Sequence, residues 1–389
     1  MTSRERCPVC DSVDIAVVFE RRSVPVNQNI VFSNERDAAT IAMRDIELVH
    51  CAECDFVFNG AFDEAAVMYD ERYDNAQLTS PTYAKYIGEL VAYMLDTCGL
   101  RDARVIEVGC GKGEFLGQLV SSAGSRVTGY GFDPSYTGPR ETLGGRLVIE
   151  QMMFGPAVKH LHADALLSRH VIEHIPDPRA FLTSIVGAVE DMPAVRFFLE
   201  TPSIDWILEQ SAFWDIFYEH CNYWSARSMR ALFEGSGLAV DGVRTIWRDQ
   251  FLWVEGHASD APGQSFRRDR DTGLRNRLSV FAAQEAERRA KLHAEISTMA
   301  GRVALWGAAA KGVTMANLVD PNRNLIAALV DINPNKQGCF IAGSAHRIVP
   351  PAAVAAMELE RIYVMNPNYL TECAAMLKEI GSSAQLVTV

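Results

Sequence analysis

Four things are scarce or missing in this chain of 389 residues. No apolar run is long enough to span a bilayer, which excludes a helical membrane protein. Basic residues are outnumbered: 37 Lys and Arg stand against 49 Asp and Glu, for a net charge of −12. A chain this acidic lacks the positive surface of a general nucleic-acid binder. The start, Met1-Thr2-Ser3-Arg4-Glu5-Arg6-Cys7, has no hydrophobic core of a secretory signal. Disulfide spacing is also missing: the nine cysteines are odd in number and fit a reducing compartment better than a cross-linked framework. The expected location is therefore the cytoplasm, with no nucleic acid or membrane as partner. Hydrophobic residues are plentiful, at 48%, and the length predicts two or three domains.

The chain is organised around Val105-Ile106-Glu107-Val108-Gly109-Cys110-Gly111-Lys112-Gly113-Glu114-Phe115-Leu116. The apolar run before Gly109 predicts a buried strand, and the pattern from Glu114 predicts a helix to about Ser122. A strand, a glycine-rich turn and a helix build a nucleotide site at the carboxyl end of the strand. The dinucleotide fingerprint is G-x-G-x-x-G. Here the order is Glu-x-Gly-x-Gly-x-Gly, at Glu107, Gly109, Gly111 and Gly113, which resembles the first motif of class I S-adenosylmethionine-dependent methyltransferases. The run from Arg126 to Phe132 predicts a second strand ending at Asp133. An acidic residue there is placed to accept hydrogen bonds from ribose hydroxyls. Leu147 to Glu150 predicts a third strand, with Gln151, Met152 and Met153 near an adenine.

Ala163 to Pro178 contains Arg169-His170-Val171-Ile172-Glu173-His174 and resembles the fourth-strand motif of the same methyltransferases, beside the reacting sulfonium. For His170 a cofactor contact and a satisfied histidine at a strand end stay equally open. Arg196 to Glu200 predicts a fifth strand, closed by Thr201-Pro202, and Phe251 to Val254 the last of the domain. Between them, Trp206 to Ser225 is dense in aromatics. Phe213, Trp214, Trp224 and Phe233 read as core. Glu219 and His220 do not suit a dry core, because buried charges need partners, and they point to a pocket wall.

The N-terminal segment holds Cys7-Pro8-Val9-Cys10 and Cys51-Ala52-Glu53-Cys54. Two C-x-x-C knuckles offer four thiolates, which suit a closed structural Zn2+ site. His50 is a competing ligand by position only. Ser80-Pro81 marks a helix start, serine as cap and proline in the first turn. Tyr73, ahead of it, is a candidate pocket residue. Arg267, Arg268 and Arg270 read as a solvated face rather than a phosphate site, and a helix is expected from about Leu278 to Met299. The last ninety residues repeat the nucleotide-type pattern: Val303 to Trp306, the turn Gly307 to Gly312, a helix, then Ile326 to Val330 ending at Asp331. This unit either binds a nucleotide, with Lys311 or Lys336 near phosphates, or only shapes the cleft.

In this order the pieces resemble the three-part C-methyltransferases that act on nucleotide-linked deoxysugars. The paired C-x-x-C, Glu107 to Gly113, Glu200-Thr201-Pro202, Glu219-His220, Gly307 to Gly312 and Asp331 to Gly338 carry the resemblance. It implies an α/β fold: a zinc-binding domain over 1–75, a Rossmann-like class I methyltransferase core over 76–258, a helical linker over 259–300 and a Rossmann-like domain over 301–389. The implied cofactor is S-adenosylmethionine, held by Glu107, Gly109, Gly111, Gly113, Asp133, Arg169 and His170, with a structural Zn2+ on Cys7, Cys10, Cys51 and Cys54. The implied base is His220, with Glu219 beside it and His174 in the same site.

The unperturbed pKa of histidine suits a base near neutral pH. Glu219 is expected to orient His220, and Tyr218 or His174 to hold a developing oxyanion. The expected reaction is C-methylation of a nucleotide-linked keto-deoxysugar. Oxygen or nitrogen methylation of another small metabolite is the alternative, since the same histidine would deprotonate a hydroxyl. A cofactor-sensing or zinc-dependent interaction protein without catalysis and a dehydrogenase on the C-terminal turn are further rivals. A monomer and a homodimer are both compatible with the sequence. The departures from the sugar enzymes sit on the acceptor side. Phe217-Tyr218-Glu219-His220 stands where they read Tyr-His-Glu-His, and Arg248-Asp249-Gln250-Phe251 where they often carry His-Gly-Gly-Ser. Asp74-Asn75-Ala76-Gln77 replaces a tyrosine cluster.

Overall fold

The computed structural model describes residues 5–68, 78–155, 158, 161–192, 194–259 and 273–389. The readings of Tyr73, of residues 74–77 and of Arg267, Arg268 and Arg270 fall outside these. At the centre is an eight-stranded sheet. Its order is Leu238–Ile246, Phe251–Ala258, Arg196–Pro202, Ala165–Arg169, Arg104–Val108, Thr128–Phe132, Leu147–Glu150 and Glu141–Thr142. The five strands from Arg196–Pro202 to Leu147–Glu150 run parallel; Phe251–Ala258 is antiparallel to its neighbours.

Parallel strands covered on both faces read as continuous apolar runs, and alternate residues serve opposite cores. Ile106, Leu166 and Phe197 enter one core with helices Pro178–Ala188 and Ala226–Gly235. Val105, Leu167 and Phe198 enter the other with helices Pro81–Ala92 and Glu114–Ser121. Local chemistry starts these helices. The Ser80 side chain accepts from Tyr83 N with Pro81 in the first turn, and Asp177 accepts from Ala180 N with Pro178 in the same position. Strand order reverses at Arg104–Val108, so a switch point opens between it and Ala165–Arg169.

The C-terminal unit repeats the plan. Its five parallel strands lie in the order Ile348–Val349, Ile326–Val330, Val303–Trp306, Arg361–Val364, Gln385–Thr388. Here too the order reverses beside the first strand.

The N-terminal sheet is antiparallel: Ile15–Pro25, Met43–Cys51 and Val57–Asn59, completed by Asn222–Tyr223 from the segment that follows the central strand Arg196–Pro202. Val31–Phe32 pairs with Phe340–Ile341 of the C-terminal unit. One core joins all of this. Phe19, Ile46, Trp206, Phe213, Trp214, Phe281, Leu305 and Val313 belong to it. Phe213 and Trp214 therefore sit between units, whereas Trp224 and Phe233 pack on the central sheet. Helix Leu274–Ser297 runs through the junction, and its buried Glu285 pairs with buried Arg21 at 3.3 Å. Among the described residues, no helix is long and apolar enough to cross a membrane.

Candidate active site

The first glycine turn has the backbone that its sequence predicts. Gly109, Gly111 and Gly113 have φ of +72°, +54° and +74°, a region that L-residues with a Cβ rarely adopt. A Cβ on Gly109 would lie 2.3 Å from Val171, and one on Gly113 2.2 Å from Ile149. At Gly111 a Cβ would meet nothing within 4 Å, so this part of the turn faces open space. Asp133 closes the turn: one carboxylate oxygen accepts from Gly111 N at 2.8 Å, the other from Ser135 N and Oγ at 2.8 and 2.6 Å.

Glu107 lies beneath the turn, 2% exposed. Burial pushes its carboxyl up to about 8, against the pull of Arg169. Its Oε2 is buried and has no hydrogen-bond partner among the described residues. A buried unsatisfied acceptor beneath an open glycine turn is the arrangement a polar ligand completes. These residues fit S-adenosylmethionine, a ligand with an amino group and a ribose.

Arg169 is held from three sides. Its Nε donates to Glu200 at 2.6 Å, its Nη2 to Tyr83 Oη at 3.3 Å, and its guanidinium lies 4.3 Å over the Phe115 ring. Glu200 is fully buried and also accepts from Tyr86 Oη at 2.6 Å and His170 Nε2 at 3.1 Å. Burial alone would raise the Glu200 carboxyl, but Arg169 and His170 outweigh it and hold it down at about 2. Burial likewise disfavours charge on His170, yet Glu200 and Glu173 hold it up at about 9. His170 thus sits as an imidazolium between two carboxylates, at a left-handed backbone position with φ +53°.

From His170 a cavity of about 230 Å³ runs to the C-terminal unit. Its walls are the carboxyl ends of both sheets: His170 and Pro202 on one side, Trp306, Asp331 and Val364 on the other. The C-terminal switch point, with Gly307 and Asp331, opens into this space; on the central sheet His170 reaches it, whereas Gly109, Gly111, Gly113 and Asp133 are not in its wall. Lys311, first turn of helix Ala310–Val319, lies in the wall and pairs with Asp215. The turn leading to it is tight: a Cβ on Gly312 would stand 1.8 Å from the Gly307 carbonyl oxygen. Lys336 is buried and its Nζ donates to Ala308 O at 3.3 Å.

Of the four residues proposed from sequence for the chemistry, the structure brings two to the cavity. His174 and His220 both line it, their rings 4.9 Å apart and nearly perpendicular. Burial lowers the His220 pKa well below the usual histidine value, and the nearby charges of His174, Lys311 and His170 add to the effect. Tyr218 and Glu219 are not in the wall. Tyr218 is turned toward the N-terminal sheet: its Oη accepts from Asp63 N at 2.8 Å and its ring packs on Phe62. Phe217 takes the cavity side instead. The Glu219 carboxylate accepts from Asn27 Nδ2 at 3.1 Å, Gln28 N at 2.8 Å and Asn29 Nδ2 at 3.0 Å. Its contact with the histidines is through the backbone, where its carbonyl accepts from His174 Nδ1 at 2.9 Å.

Sequence reasoning passed over Glu173, Asp215 and Asn366, which also line the cavity. Glu173 had a signal, since it lies three residues after His170 and beside His174. Asn366 had none: it pairs with Gln250, 116 positions earlier.

The four thiols Cys7, Cys10, Cys51 and Cys54 converge, with Cys7 to Cys54 at 3.6 Å and Cys10 to Cys51 at 3.5 Å. Sulfurs at 2.3 Å from a tetrahedral Zn2+ stand about 3.8 Å apart, so the set fits that ion. His50 is turned away from this role; its Nε2 donates to Asp55 at 3.0 Å.

Residues 81–243 match the family described as methyltransferase domain, and residues 265–388 the one described as C-methyltransferase C-terminal domain. The C-methyltransferase NovU of Streptomyces niveus is 25% identical over 397 residues, covering 96% of this chain and 92% of that protein. Among solved structures, the 1,6-didemethyltoxoflavin-N1-methyltransferase of Burkholderia thailandensis is 16% identical, with a TM-score of 0.36. It covers 54% of this chain and 99% of its own. A SAM-dependent methyltransferase of Aquifex aeolicus is also 16% identical, with a TM-score of 0.35, over 51% of this chain and 99% of its own.

Proposed function

The chain is an S-adenosylmethionine-dependent methyltransferase with a C-methyltransferase C-terminal domain, and from that premise we propose that it methylates carbon beside the ketone of a nucleotide-linked deoxysugar, with His220 as base. The observation that carries this reading is the cavity itself. It joins a methyl-donor sheet to a second nucleotide-type sheet, with a histidine pair between them.

S-adenosylmethionine at the Gly109–Gly113 turn would supply a methyl group activated on its sulfonium, with S-adenosylhomocysteine as the leaving group. Glu107, Asp133 and the turn's backbone are the residues to hold it, and Arg169 and His170 fix the strand end beside it. Carbon becomes a nucleophile only when it loses its α-proton. His220 takes that proton: its ring lies in the cavity wall, and at neutral pH the lowered pKa leaves its nitrogen lone pair free. The electron pair of the C–H bond passes to the enolate and from there to the new C–CH₃ bond. His174 donates Nδ1–H to the Glu219 carbonyl, so in its neutral form Nε2 is an acceptor. It holds an enolate oxygen only after gaining a second proton. Glu219 acts through this carbonyl, as a positioning residue, and Tyr218 supports the wall from behind.

The nucleotide carrier is assigned to the C-terminal wall. Lys311 and the amino end of helix Ala310–Val319 suit its phosphates, and Asp331 and Asn366 line the adjoining space. Cys7, Cys10, Cys51 and Cys54 hold a structural Zn2+ with no open position for substrate.

The test is a mass-spectrometric screen of nucleotide-linked keto-deoxysugars against other hydroxylated metabolites, with NMR to locate the added methyl. A gain of one methyl on carbon, with loss of turnover in His220→Ala and His220→Asn, is expected. Methyl found on oxygen or nitrogen, or wild-type turnover in both variants, would overturn the reading.

A further inference from the structure

We infer that Glu173, His174 and His220 form a binding site for one divalent transition-metal ion in the wall of the cavity, separate from the four thiolates. One ligand atom from each of the three lies within 4.8 Å of the others. Glu173 and His174 come from the short helical turn Ile172–His174 after the fourth parallel strand. His220 comes from the loop ahead of strand Asn222–Tyr223. No regular element would bring these residues together by sequence spacing.

Two of the three, His174 and Glu173, are oriented from outside, as metal ligands are when their second ring nitrogen or oxygen is held by a hydrogen bond. His174 donates Nδ1–H to the Glu219 carbonyl at 2.9 Å, which fixes the ring and its tautomer, with Nε2 as the nitrogen that carries the lone pair. Glu219 cannot swing away, because Asn27, Gln28 and Asn29 grip its carboxylate. Glu173, 1% exposed, accepts from Thr201 Oγ1 at 3.0 Å on Oε2. Its Oε1 is buried and pairs with His170 Nδ1 at 3.4 Å. All three side chains line the cavity. Ligand atoms about 2.1 Å from a Zn2+ in tetrahedral array are about 3.4 Å apart, so a bound ion would draw the three inward.

The donor set names the class of ion. Two imidazoles and a carboxylate with open positions suit Zn2+, Co2+, Ni2+ or Fe2+. They contrast with the closed sulfur set at the N-terminus, which leaves no position for an outside ligand. Here water or an acceptor oxygen can complete the shell. The lone pair of His220 has two uses that exclude each other: binding the ion and taking the acceptor's proton. A metal in this site therefore switches turnover off. That consequence rests on His220 as base; binding of the ion does not.

The test uses the full-length protein purified with its N-terminal site filled with zinc, titrated with Co2+ without substrate. Calorimetry and metal analysis should give one added Co2+ per chain, with visible absorption lacking thiolate charge-transfer bands. Glu173→Gln and His174→Ala should weaken it by at least about 10-fold. No added Co2+, or unchanged affinity in both variants, would overturn the site. X-ray absorption on the wild type covers the case in which a variant fails to fold: an imidazole shell supports the site, a pure sulfur shell overturns it. An activity titration separates the two readings. Binding without inhibition would remove His220 as base and leave the metal site standing.

Discussion

Asp133 and Asp331 hold equivalent places in two different sheets. Asp133 ends the strand beside Arg104–Val108 and accepts from Gly111 N at 2.8 Å; Asp331 ends the strand beside Val303–Trp306 and accepts from Ala308 N at 2.7 Å. Each carboxylate ties the end of one strand to the turn of its neighbour. The two units therefore carry the same device for bringing a turn to a ligand; Asp331 lines the cavity, and Asp133 lies outside its wall.

Replacing each acid should separate the ends. Asp133→Ala should weaken S-adenosylhomocysteine binding by about 10- to 100-fold, the range of one or two hydrogen bonds to a charged group. Asp331→Ala should leave that affinity within about 2-fold and raise the KM of the nucleotide-linked acceptor. Calorimetry and steady-state kinetics on both variants give the comparison.

At His220, loss of the imidazole should lower kcat by about 10²- to 10⁴-fold, the usual contribution of a positioned base. Affinity for S-adenosylhomocysteine should stay near the wild-type value, because among the described residues the ring contacts of His220 are with His174, Phe217 and Tyr223 and not with the glycine turn. A parallel loss of cofactor affinity would mean that the histidine is structural.

Removal of the thiolate site should destabilise the whole chain and not the N-terminal sheet alone. Cys7 and Cys54 belong to the same core as Val108, Phe197 and Leu232 of the central domain. Cys51→Ser should abolish bound zinc and lower the unfolding free energy by about 4 kcal/mol or more, as expected for loss of a structural metal. Metal analysis and denaturant unfolding check this. A variant without zinc but with wild-type stability would show that the thiols need no ion.

Acid should unlock the network around Glu200. Its carboxyl is held at about 2 against an ordinary 4.5. A depressed carboxyl contributes stability that is fully present above 4.5 and lost as pH falls toward 2. The contribution is about 3 kcal/mol. The stability gap between wild type and Glu200→Gln should be wide at neutral pH and close steadily below pH 4.5. A gap independent of pH would show that the carboxylate is not ionised in the folded state.

What the sequence makes legible is the donor side. Gly109 to Gly113 needs its glycines for their φ values, and an apolar run before it has little choice but to be a buried strand. The same holds for Leu166 to Ser168 and for Val303 to Trp306. The strand Leu238–Ile246 escaped because it is the edge of the sheet, half exposed, with no continuous apolar run. The acceptor side is harder for a different reason. Residues 213–225 are mostly irregular, so no period assigns a face to Phe217, Tyr218, Glu219 and His220. Their directions are decided by partners far away in the chain, Asp63 for Tyr218 and Asn27 to Asn29 for Glu219. Neighbours in sequence therefore face opposite ways, and only His220 and Phe217 of the four reach the cavity.

The N-terminal sheet takes its last strand from Asn222–Tyr223. During synthesis the edge of Val57–Asn59 stays without that neighbour until more than half of the chain has been made. An unpaired edge invites pairing with other chains, so the thiolate unit is not a module that can be cut out or exchanged at its apparent boundary. Evolution of a new acceptor range in this scaffold must act on the aromatic segment and the N-terminal sheet together, since one supplies the strand and the other holds Glu219 in place.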